Sequence, residues 1–160
     1  MTEVFSAADL PAPSAGTITL VTGTYTFHES FTIADTLTGP AGVIVELLGA
    51  SFGLVLTYSG TGTFINTAAA SRLRVTNLDF AMTGVGATLF DIVAASASIA
   101  NTSCNFAAAG QSIGSASLSA IGLGFQVALF SGFETGLSIS GAAPTILENC
   151  IFTADPGVSG

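Results

Sequence analysis

The chain has 160 residues, of which 8% are charged against roughly 25% in an average soluble protein, and ten acidic residues against two arginines set a net charge of −8. One ordinary domain fits that length, and a chain whose only cations are Arg72 and Arg74 cannot neutralise the phosphates of duplex nucleic acid, which excludes that partner. With 49% hydrophobic residues, 19 glycines and no tryptophan, the composition favours short strands joined by turns over a helical bundle.

Residues 1–15 read as an N-terminal arm or cap. The start, Met1-Thr2-Glu3-Val4-Phe5-Ser6, has neither a basic nor an apolar signal region, so no secretory signal is expected and the protein is placed in the cytoplasm. Residues 6–10 predict one helical turn, stopped by Pro11 and Pro13. Residues 16–160 read as a single β domain. Strand signals fall at residues 17–21, 25–27, 31–33, 43–48, 53–58 and 63–65, separated by small or polar residues such as Gly23, Gly49 and Gly60. The longest apolar stretch, residues 41–58, contains Glu46 and several Gly and Ser, and Val43-Ile44-Val45 is β-branched, so it predicts strand and not a membrane span. No segment sustains an apolar stripe at helical spacing opposite a charged face.

The second half of the chain repeats. Leu78-Asp79-Phe80, Cys104-Asn105-Phe106, Ser131-Gly132-Phe133 and Cys150-Ile151-Phe152 each end on Phe, and the Phe residues lie 26, 27 and 19 positions apart. Strand alternation sends each Phe and the residue two before it to one face. Stacking at about 4.8 Å then predicts an inner column of Phe80, Phe106, Phe133 and Phe152, with Asp79, Asn105, Gly132 and Ile151 outside. This is the pattern of a right-handed parallel β-helix of about six short coils, taking ~25 residues per coil, with a β-sandwich as the alternative.

Gly16-Thr17-Ile18-Thr19-Leu20 followed by Gly23-Thr24-Tyr25 resembles the opening coil of pectate-lyase-like right-handed β-helices. Arg74-Val75-Thr76-Asn77-Leu78-Asp79-Phe80 and Glu148-Asn149-Cys150-Ile151-Phe152 are similar to rung strands of that superfamily. Within it, Ala8-Asp9-Leu10-Pro11-Ala12-Pro13 and the segment from Gly132 to Gly141 resemble β-helical virion proteins of tailed bacteriophages. The resemblance implies a rigid, non-enzymatic virion component, capsid decoration or tail fibre or spike, assembled in a host cytoplasm. It also implies a homotrimer and contacts with other virion proteins. The chain stops directly after a rung, which is expected of a fragment of a longer protein.

Polysaccharide cleavage is the activity that such a fold most invites. A lyase needs a base and clustered carboxylates for Ca²⁺, and a hydrolase needs paired carboxylates at controlled separation. The chain has no Lys, no acidic pair at one repeat offset and no D-x-D cluster, although Asp91 could approach Asp79 in the same coil. No catalytic, cofactor-binding or metal-binding residue is therefore assigned. His28 reads as a turn residue bonded to its surroundings, and Asn77 and Asn149 as turn residues whose amides bond along the coil. The Thr-x-Thr pairs beginning at Thr17, Thr24, Thr36 and Thr61 return at no fixed interval, which argues against a flat ice-binding ladder. Cys104 and Cys150 are predicted as reduced residues of one inner column two coils apart, about 9.6 Å by doubling the strand spacing and beyond disulfide reach.

The expected function is a non-enzymatic structural protein acting as a rigid oligomer. The alternative is a host-glycan-binding or polysaccharide-cleaving tailspike fragment, and a cellular adhesin is disfavoured without an export signal.

Overall fold

The computed structural model describes residues 1–141 and 145–154, and 66% of the chain is strand. All strands pair in parallel, in three ladders, and the chain visits the ladders in the same order on every turn. The first ladder stacks β2 (Thr17–Thr19), β5 (Thr36–Gly39), the opening of β8 (Thr63–Thr76), the opening of β10 (Thr88–Phe106), the opening of β11 (Ser112–Phe133) and β12 (Thr135–Gly141). The second stacks β1 (Thr2–Val4), β3 (Gly23–Phe27), β6 (Ile44–Gly49), the later parts of β8, β10 and β11, and β13 (Thr145–Glu148). The third stacks β4 (Phe31–Ile33), β7 (Val55–Tyr58), β9 (Asp79–Met82), the ends of β10 and β11, and β14 (Ile151–Ala154). The result is a three-sided parallel β-solenoid of about six turns, as the repeat predicts.

Each ladder sends alternate side chains inward. In the second, Tyr25, Leu47, Val75 and Ile99 stand in register, all with 2% exposure or less. Tyr58, Phe64, Phe80 and Phe90 run as an aromatic chain through the interior: Tyr58 stacks on Phe64 at 4.7 Å, and Phe80 meets Phe64 and Phe90 edge-on at 5.7 and 6.4 Å. No coil can bury such a face without the coil above and below it, so the stack is the core.

The register differs from the sequence expectation. Phe80 is paired with Leu56 below and Cys104 above, and that column continues to Phe130 and Phe152. Phe106 stands instead over Met82 and Tyr58, and Phe133 meets it edge-on at 6.0 Å. The predicted single Phe column is thus two neighbouring columns. Residues two apart share a face, so a slip of two keeps every Phe inward, and alternation alone cannot detect it. The outside row is correspondingly Val55, Asp79, Ser103, Leu129 and Ile151; Asn105 lies over Ala81, and Gly132 sits at a register shift with φ 85.

Between the second and third ladders the chain turns through left-handed residues. Asn77, Asn101 and Asn149 have φ of 55, 50 and 53, a conformation that Asn tolerates better than other residues with a Cβ. Asn101 Nδ2 donates to Asn77 Oδ1 at 3.2 Å, so the amides do bond along the coil, but Val127 occupies the level between Asn101 and Asn149.

The N-terminal segment closes the first coil. β1 adds to the edge of β3, and Val4 and Leu10 are buried at 0% and 5% exposure. The predicted helical turn is a 3₁₀ turn, Ala7–Asp9. Asp9 Oδ2 accepts from the Phe5 and Ser6 amides and the Ser6 hydroxyl, and those amides hold its carboxyl below the usual range. His28 fastens the segment: its amide donates to Val4 O at 2.9 Å, its ring bonds Glu3 and stacks on Phe5 at 4.7 Å.

Candidate functional site

Two shallow grooves lie among the described residues. The first, of about 410 Å³, follows the asparagine corner across several coils and is lined by Phe52, Asp79, Asn101, Ser103, Leu129 and Ile151, among others. Phe52 stands on the turn between β6 and β7, where Gly53 takes φ 79, and is 80% exposed. Asp79 begins the third face just past Asn77, and Ser103 lies directly above it, so that Ser103 N and Oγ both donate to Asp79 Oδ1 at 2.8 and 2.7 Å. One level higher the same row becomes apolar, with Leu129 44% and Ile151 61% exposed.

The second groove, of about 370 Å³, lies on the first face. Thr63, Thr88, Ser112 and Thr135 form one outward row along the axis, and Asp91, Ser115 and Ser138 form another. Thr88 Oγ1 and Ser112 Oγ are 2.9 Å apart, and Ser115 Oγ donates to Asp91 Oδ1 at 2.9 Å. These rows were not among the predicted features. Their signal in the sequence is one hydroxyl residue per coil at positions 63, 88, 112 and 135, whereas a search for Thr-x-Thr pairs looks along the strand and misses it.

The structure separates the carboxylates that sequence proximity suggested. Asp79 lines the corner groove on the third face and Asp91 the hydroxyl groove on the first. Each groove therefore holds one lining carboxylate, already engaged by a serine, where glycoside hydrolysis uses a pair. Among the described residues no three His, Cys, Asp or Glu side chains gather at a point that could hold a metal ion. Arg72 and Arg74 share the outer second face as expected from their spacing; Arg74 Nη1 lies 3.3 Å from Glu46 Oε1, an exposed pair of small energetic weight.

Cys104 and Cys150 are both reduced. Cys104 is in register with Phe130 and Phe152, so Cys150, two residues before Phe152, lies two coils away but not in the same column. Burial, and then the charge of Asp79, raise the Cys104 thiol well above its ordinary pKa. A further buried group, Gln111, has no warning in the sequence. With 0% exposure, its Nε2 donates to Gly84 O at 2.7 Å and its Oε1 accepts from the Ala108 amide at 3.0 Å, tying its own turn to the coil below.

No helix among the described residues is long and apolar enough to cross a membrane. No protein-family model matches the chain, nor does any curated protein or solved structure. The reading of what the protein does therefore rests on its own ladders and surface.

Proposed function

We propose that the chain is a non-enzymatic structural component of a tailed-phage particle, a rigid oligomeric β-solenoid that decorates the capsid or forms part of a tail fibre or spike. The observation that carries this reading is the stacking of three parallel ladders through about six turns, which gives a stiff body. The surface supports it. With two cations in the whole chain, the sides carry exposed Ile44, Phe52, Val93 and Leu129, the kind of surface that neighbouring subunits cover. The virion assignment itself comes from the likeness to phage β-helices of Ala8 to Pro13 leading into Gly16 to Leu20, and of Gly132 to Gly141.

Its mechanism is mechanical. Ladder hydrogen bonds and interior aromatic packing resist local opening, so the body survives proteases and transmits load while its surface holds other virion proteins. The test is immunogold labelling of phage particles from a lysate that contains this gene. Gold on head or tail is the expected result, and particles that stay unlabelled while the free protein is abundant would sink the reading.

A second reading, a glycan-binding spike fragment, is favoured by the corner groove, where an exposed aromatic, Phe52, stands beside the amide of Asn101 and the carboxylate of Asp79. Retention of the protein on immobilised bacterial capsule, lost in Phe52→Ala, would select it over the purely mechanical one; release of reducing ends would make it an enzyme.

A further inference from the structure

The first face carries a two-dimensional lattice of hydroxyl groups. One outward row runs through Thr17, Thr36, Thr63, Thr88, Ser112 and Thr135, and a second through Thr19, Thr38, Asn66, Asp91, Ser115 and Ser138. Ten of these twelve positions are Thr or Ser, and Asp91 carries the one charge among them. Sequence spacing conceals the lattice. Thr17 and Thr36 are 19 positions apart and Thr36 and Thr63 are 27, because the corner turns differ in length, yet strand pairing sets Thr17-x-Thr19 directly against Thr36-x-Thr38. The irregular interval that argues against a flat ladder is a property of the turns and not of the face.

We propose that this face is an ice-binding surface, whose ligand is the ordered water of a growing crystal. The ladder repeats each row at about 4.8 Å along the axis, and in the first two coils the rows stand two residues, or about 6.6 Å, apart. From Thr63 onward three positions separate the rows, and the gap opens into the groove of about 370 Å³, with Phe90, Gly114 and Gly136 between its walls. Gly114, with φ 117, admits no side chain there, since a Cβ would collide with Phe90 O. At ~30 Å³ per molecule the groove has room for roughly a dozen waters, lined on both sides by hydroxyl groups.

The chemistry of the face selects water over a soluble ligand. Phe90, the groove's one aromatic, is buried, no cation lines the groove, and its single carboxylate, Asp91, already accepts from Ser115. Each hydroxyl has one donor and two acceptor sites, so Thr88 and Ser112, 2.9 Å apart, still offer sites to solvent after bonding to each other. The threonine methyls beside them present small apolar spots, over which first-shell water is restricted in orientation. Side-chain ladders of this kind hold a sheet flat, and the backbone fixes the hydroxyls before water meets them, so little ordering entropy remains to oppose binding.

The inference stands apart from the virion reading, and ice partitioning tests it alone. The folded 160-residue chain is cooled slowly against an ice-coated cold finger, and the protein held in the ice is compared with that left in the liquid. Retention above that of an unrelated acidic protein is expected, with faceted crystals and a thermal hysteresis that rises with concentration. Thr38→Tyr and Thr88→Tyr, in the narrow and widened parts of the lattice, should abolish retention with circular dichroism unchanged, while Thr32→Tyr, exposed on the third face, leaves it intact. Asp91→Thr should raise it by removing the one charge. Because the first arm needs no variant, a misfolded Thr88→Tyr does not spoil the test. Exclusion from ice to the level of the unrelated protein overturns the proposal. So does retention that Thr32→Tyr lowers as much as Thr38→Tyr, or that Asp91→Thr abolishes, since either takes the binding away from the hydroxyl lattice.

Discussion

Leu47 and Leu147 occupy equivalent positions of the same ladder, linked in backbone register through residues 75, 99 and 125, yet Leu47 is fully buried and Leu147 is half exposed. Residue type, strand and orientation are matched, so the contrast isolates what neighbouring coils contribute. In a solenoid the burial of a side chain belongs to the coil above as much as to its own. Stability should therefore fall away from the middle toward the open end, and unfolding should begin there.

The sharpest way to break this comparison is to truncate both leucines. Leu47→Ala is expected to cost about 2–5 kcal/mol, the range for a fully buried Leu that leaves a cavity, whereas Leu147→Ala should cost under about 1 kcal/mol because its site is already wet. Denaturant titration of the two variants measures the difference. Equal losses would mean that the last coil is covered in solution.

How much of this was legible in the sequence follows from which features are local. The strands and turns were, because Gly-punctuated β-branched runs such as Thr17-Ile18-Thr19 and Val55-Leu56-Thr57-Tyr58 carry their own signal. The 3₁₀ turn was also, since a serine three residues before Asp9 is a local capping pattern. Coil stacking showed through the recurring Phe, but its register did not. Phe106 and Phe133 point inward just as Phe80 and Phe152 do, and only backbone pairing distinguishes neighbouring columns. The sites were less legible still. The corner groove joins Phe52, Asp79, Asn101 and Ile151, nearly 100 positions apart at the extremes, and each looks like an ordinary turn or strand residue in its own segment.

Gln111 offers a second, smaller break, this time at the boundary between the two regions. Its side chain reaches down to Gly84 O and across to the Ala108 amide, while its backbone carbonyl accepts from Glu134 N at 2.9 Å in the coil above. Gln111→Leu keeps the volume but leaves the carbonyl of buried Gly84 and the amide of half-buried Ala108 without their partner, at a cost of about 1–3 kcal/mol. Hydrogen exchange should locate the loss: amides of β11 and β12 become labile while those of β3 and β6 keep their protection. Uniform loss across all strands would mean that the solenoid opens as one unit and that the two regions do not differ in cooperativity.

The two cysteines sharpen the comparison without perturbing it, because they already sit on either side of it. Cys104 is 1% exposed in the column between Phe80 and Phe130, and its raised pKa keeps the thiol protonated at pH values where an ordinary cysteine has begun to ionise. Cys150 lies in the last coil, partly exposed, with its thiol donating to Glu148 O at 3.4 Å. Since the thiolate is the reacting species and access is also required, Cys150 should alkylate at least tenfold faster than Cys104 at pH 8. Denaturant should bring the two rates together, and peptide mass spectrometry assigns each. As pH rises toward the displaced pKa of Cys104, its rate should still lag, because burial limits the reagent as well as the proton. Fast labelling of Cys104 in the native protein would show that the middle of the stack opens as readily as its end, and the gradient from closed coils to open coil would be lost.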